Sequence, residues 1–122
     1  MEFGDSSLVS ETKLASFKRV LEARIAETER AIADAEQETR ATSARHADSA
    51  DQATAEYERQ TLTHKAAVAR QSLQQLTQAL DRIRQGTFGE CAQCGNDIEP
   101  KRLEAIPWAR YCLKCQELRE RR

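Results

Sequence analysis

The chain has 122 residues, 32% charged and 5% aromatic, with a mean hydropathy of −0.74 and a formal net charge of −1. So little apolar material cannot fill one compact core of this length, which favours an elongated, mainly helical protein. Basic and acidic residues balance along the chain, 12 against 14 in residues 1–85 and 7 against 6 in 86–122, so there is no strongly basic domain of the kind that binds nucleic acid by neutralising phosphates.

Residues 1–10 (MEFGDSSLVS) are small, polar and without period, and read as a flexible tail. They do not resemble a secretory signal, and no apolar run reaches membrane-spanning length, so a cytoplasmic chain with reduced thiols and no membrane partner is expected. From Glu11 a helical stripe begins: Leu14, Phe17, Leu21, Thr28, Ile32, Ala35 and Thr39, with Ile25 in the gap. The pattern breaks around residues 43–50 (SARHADSA). A second stripe follows, in which Leu62, Ala66, Ala69, Leu73, Leu76, Leu80 and Ile83 alternate steps of four and three, the spacing of a coiled-coil seam. Gly86 is the natural stop for that helix.

Two seams joined by a short connection predict an antiparallel hairpin over residues 11–85. Pairing Leu14 with Ile83, Phe17 with Leu80, Leu21 with Leu76, Thr28 with Ala69 and Ala35 with Leu62 keeps a single fold axis, between Asp48 and Ser49. A slip of one heptad preserves the seams as well, so the apex is chosen by the pairing together with the break in the pattern. The apex, near 48–53, reads Asp-Ser-Ala-Asp-Gln-Ala. Ser49 and Gln52 have the spacing of a capping box, and Asp51 suits the positive end of the helix dipole. The competing reading is functional: a thin rod with two carboxylates, Asp48 and Asp51, at its tip is shaped to enter a narrow opening in a large partner.

Residues 86–122 carry Cys91, Cys94, Cys112 and Cys115, two C-x-x-C pairs with 17 residues between them. That is the spacing of a tetrahedral four-thiolate zinc site. Disulfides are disfavoured in a reducing compartment, and a thioredoxin-like redox pair would need a βαβ context that is missing here. Four protein ligands leave no open coordination position, so one structural Zn2+ is expected and no enzyme activity. Ile98, Leu103, Ile106, Trp108 and Tyr111 offer only a tiny core, so the metal should supply much of the folding free energy of this segment. A short helix beginning near Cys112 is expected to run through Glu117–Arg122.

A helical hairpin whose tip reads Asp-x-x-Asp-x-Ala (Asp48–Ala53), then Gly-x-Phe-Gly-x-Cys-x-x-Cys-Gly (Gly86–Gly95) and Arg-Leu-Glu-Ala-x-Pro (Arg102–Pro107) before a second Cys-x-x-Cys, resembles the DksA/TraR family of bacterial transcription regulators. The resemblance covers residues 11–122. It implies a protein that binds RNA polymerase rather than DNA, inserting the coiled coil through the secondary channel to modulate initiation, with Asp48, Asp51 and Ala53 as the partner-binding tip. It also implies a departure. Where family members carry basic residues of a guanosine tetraphosphate site shared with polymerase, this chain has Val68, Gln75, Ile106 and Gln116, so strong synergy with that alarmone is not expected. A monomer is expected. The alternative is a coiled-coil zinc-finger scaffold that dimerises through its helical seam, because such stripes pair equally well between chains.

Overall fold

The computed structural model describes residues 10–45 and 52–121. Among them are four helices, α1 (Glu11–Arg45), α2 (Gln52–Gln85), α3 (Pro100–Ala105) and α4 (Leu113–Glu120). The only strand-like pairing among the described residues is an isolated antiparallel bridge between Glu90 and Asp97. α1 and α2 make the expected hairpin. Every position of the two stripes is buried or half-buried, and the apolar residues off them, Val20 and Val68, are exposed. The buried set also takes in Thr42 on α1 and Ala55 and Ala79 on α2, small residues that a search for large apolar side chains passes over.

The chain divides into two compact units, Ile25–Gln74 and the combination of Met1–Arg24 with Gln75–Arg122. In the first, the buried side chains are Ala35, Thr42, Ala55 and Ala66. Small side chains let two helices approach closely but remove little apolar surface from water, at about 0.8 kcal/mol per buried methylene. The buried Thr42 hydroxyl accepts a hydrogen bond from Arg45 Nη2 at 3.0 Å, so no polar group is stranded there. The Arg70–Glu36 ion pair links α2 to α1. Both side chains are about half exposed, so the pair contributes at most about 1 kcal/mol.

The second unit has the larger core. Ser10, the last residue of the segment read as a tail, caps α1 by accepting the Lys13 N–H at 3.2 Å; residues 1–9 lie outside the described residues. Leu21 is completely buried, with Leu76, Ala79 and Leu80 on α2 also buried. The Phe17 ring lies 5.1 Å from that of Phe88, which places the start of α1 against the segment after α2. Ile98 and Leu103 are buried as expected, but Ile106, Trp108 and Tyr111 are only half covered. Phe88, Pro107 and Ala109 fill the space instead.

α2 ends as its sequence requires. The Thr87 N–H reaches back to the Arg82 carbonyl at 2.9 Å and the Gly86 N–H to Ile83 at 3.3 Å, a Schellman arrangement with Gly86 at φ +81°. A Cβ added at Gly86 meets nothing within 4 Å, so only the left-handed backbone opposes a side chain. Gly86→Ala is therefore expected to cost about 1–2 kcal/mol without changing the fold. Urea denaturation of the zinc-loaded protein measures this, and an unchanged midpoint would show that the turn tolerates the strain.

Candidate metal centre

The first cysteine pair sits in a tight knuckle. Around the Glu90–Asp97 bridge, the Ile98 N–H donates to Gly89 O at 2.7 Å and the Cys91 N–H to Asn96 O at 2.8 Å. The Gly95 N–H then returns to Cys91 O at 3.0 Å, a reversal that needs φ +78° and hence glycine. The second pair is built on a helix start. Cys112 is the extended N-cap residue of α4 and Cys115 lies in its first turn, so a three-residue step puts both sulfurs on one side. The Ala92 N–H donates to Arg110 O at 2.7 Å, joining the knuckle to the residues before Cys112. Two side chains from α3 and its N-cap complete the frame: Glu99 Oε1 accepts the Leu113 N–H at 3.3 Å, and Arg102 Nε donates to Tyr111 O at 3.1 Å.

The four sulfurs converge within 4.8 Å of one another, with Cys94 Sγ and Cys112 Sγ 3.9 Å apart. Zn–S bonds of about 2.3 Å in a tetrahedron require S···S edges of about 3.8 Å, so the site fits zinc and is too wide for disulfides of about 2.05 Å. All four cysteines are free thiols; Cys91, Cys112 and Cys115 are buried and Cys94 is exposed. Burial pushes the Cys91 thiol up. The backbone N–H groups of Cys94, Cys112 and Gln93 and the Cys94 thiol outweigh it, and hold the Cys91 pKa down at about 6. Burial and the three neighbouring sulfurs push Cys115 up to about 12. Zinc binds thiolates, so metal uptake must release the protons that remain on the thiols.

The expected tip lies elsewhere in the chain. Asp48 and Asp51 fall outside the described residues, and Ala53 lies exposed in the first turn of α2. Of the four positions of the expected alarmone departure, Gln75, Ile106 and Gln116 line one cavity of about 140 Å3 in the second unit, and Val68 is exposed on α2. Sequence reasoning did not place the residues that share this cavity: Arg102, Trp108 and Arg110. Burial, with Arg110 close by, pulls the nearby Arg82 guanidinium below its ordinary pKa, while its Nη2 donates to Ala109 O at 3.3 Å. Trp108 does not simply cover the metal fold, because the Arg24 guanidinium lies 5.1 Å from its ring centre. Arg119 of α4 stacks over the Tyr111 ring at 4.5 Å.

Residues 86–121 match a family model described as the prokaryotic dksA/traR C4-type zinc finger. An uncharacterized protein of Aquifex aeolicus is 50% identical over 50 residues, 41% of this chain and 34% of that one. The RNA polymerase-binding transcription factor DksA of Caulobacter vibrioides is 31% identical over 122 residues, 97% of this chain and 83% of the relative. Among solved structures, the transcription factor DksA2 from Pseudomonas aeruginosa superposes with a TM-score of 0.85 at 27% identity, covering 95% of this chain and 89% of that one.

Proposed function

The chain belongs to the DksA/TraR family, and from that premise we propose that it binds RNA polymerase through the secondary channel and modulates initiation with its coiled-coil tip. The observation that carries this reading is the Caulobacter match, which runs through nearly the whole chain to a protein named for binding RNA polymerase. Asp48, Asp51 and Ala53 are the proposed contacts at the tip; Cys91, Cys94, Cys112 and Cys115 are the proposed ligands of one structural zinc. The physical logic is that carboxylates delivered by two packed helices perturb polar contacts in a partner without needing an active site of their own. No catalytic role is proposed for this chain.

The near-neutral charge of residues 86–122 supports a protein partner over direct, sequence-specific DNA binding. No helix among the described residues is long and apolar enough to cross a membrane. The proposed working form is a cytoplasmic monomer, its seams being used within the chain. Strong alarmone synergy is not part of the proposal.

Pull-down with polymerase core, followed by transcription in vitro, tests the reading. The wild-type chain should bind and alter initiation, and Asp48→Asn/Asp51→Asn should bind yet lose the effect on initiation, with helix content little changed because Ser49 can still cap. A doubly substituted protein that regulates normally would reduce both carboxylates to caps; a wild-type chain that does not bind would end the proposal.

A further inference from the structure

Two half-buried arginines of the second unit, Arg82 and Arg102, form no ion pair with any carboxylate among the described residues. Arg82, in the last turn of α2, donates through Nη2 to Ala109 O at 3.3 Å, and Arg102 of α3 donates through Nε to Tyr111 O at 3.1 Å. The acidic residues close to them in sequence are used elsewhere. Asp81 pairs with Arg84 at 2.9 Å, and Glu99, one turn before Arg102, accepts the Leu113 N–H at 3.3 Å. Glu104 is exposed two positions beyond Arg102, a step that puts it on another side of α3. A half-buried guanidinium without a counter-charge is disfavoured, and Arg82 is more so because Arg110 lies close to it.

Both side chains end on the segment that enters the second cysteine pair. Ala109, Arg110 and Tyr111 run directly into Cys112, and their carbonyls accept in turn from Arg82, from the Ala92 N–H next to Cys91, and from Arg102. A zinc ion held by four thiolates carries two net negative charges, and the Glu99 carboxylate at Leu113 adds to them. Three of the four cysteines are buried, so water screens that charge poorly and cations held by the surrounding residues matter more. We infer that Arg82 and Arg102 are positioning residues of the zinc site, which fix the segment before Cys112 by hydrogen bonds and supply the counter-charge of the metal-loaded four-cysteine cluster. The inference rests on the four cysteines binding zinc and is independent of polymerase binding. It also explains why two half-buried guanidiniums gather where no carboxylate meets them.

The test is competition for zinc between a chelator and the full-length chain, as wild type, Arg82→Gln, Arg82→Lys, Arg102→Gln and Arg102→Lys, at low and at high salt. Glutamine keeps an N–H donor and drops the charge, whereas lysine keeps the charge. Each Gln variant should bind zinc about tenfold more weakly than wild type, as loss of a partner that supports metal ligands does. Each Lys variant should stay within about threefold of wild type, and added salt should narrow the gap between wild type and the Gln variants. Arg59→Gln removes a cation of the first unit that is paired with Glu56, and should leave zinc affinity unchanged. Gln variants that hold zinc like wild type overturn the inference. Lys variants as weak as the Gln variants overturn it too, since hydrogen-bond geometry and not charge would then be the contribution. A wild-type chain that takes up no zinc overturns the four-cysteine reading itself.

Discussion

Chelation of zinc at neutral pH should unfold the segment 86–121 and leave most of the helical signal in place. α3 and α4 contribute six and eight residues against 35 and 34 in α1 and α2, so losing both short helices removes about a sixth of the described helix. The tertiary effect is far larger. Structural zinc in finger peptides supplies an apparent 10–16 kcal/mol at about pH 7, which the few fully buried side chains of this segment cannot replace. Phe17 loses the packing of Phe88 with it, so the melting temperature of the second unit should collapse while far-ultraviolet circular dichroism falls only modestly. Retention should also weaken as pH falls, because acid returns protons to the thiolates that bind the metal. Metal analysis of purified protein and a chelation titration followed by both probes check this. A zinc-free protein with an unchanged melting curve would refute it.

Guanosine tetraphosphate should add little or nothing to the effect of this chain on a polymerase stripped of its other alarmone site. Each charge-assisted contact to a phosphate contributes about 1.5–3 kcal/mol, so the loss of even two weakens binding by about two orders of magnitude or more. Val68 and Ile106 have no donor to offer a phosphate, and Gln75 and Gln116 bring no positive charge. Transcription with and without the nucleotide in that background is the measurement. Strong synergy would contradict the expectation, and the cavity names the groups to examine next: Arg102 and Arg110, which line it with Gln75, Ile106 and Gln116. Arg102→Gln and Arg110→Gln would then be expected to abolish the response.

The helical register and the knuckle were legible because both depend on spacing along the chain. A seam residue is buried wherever a helix of 3.6 residues per turn turns it inward, and every stripe position from Leu14 to Thr39 and from Leu62 to Ile83 followed that rule. Gly86 was legible for a local reason as well, since its left-handed backbone closes the same Schellman turn whatever surrounds it. The cysteine pairs announced a four-sulfur cluster because each C-x-x-C step already places two sulfurs together, and the fold had only to bring the second pair to the first.

What spacing could not reveal was where side chains from separate elements meet. Nothing in the order of residues sets Phe17 against Phe88, Arg24 over Trp108, or Arg102 and Arg110 in one cavity with Gln75, because each contact joins positions at least six residues apart through the path of an irregular segment. The same holds for a groove beside Tyr57. There Tyr57 of α2 shares a surface with Glu38, Thr42 and Arg45 of the facing helix. Local periodicity thus determined which residues turn inward and which four sulfurs could hold a metal, while the close approach of α1 to α2 and the packing of residues 86–121 decided which polar and aromatic groups share a surface, since that depends on distances through space that no local rule encodes.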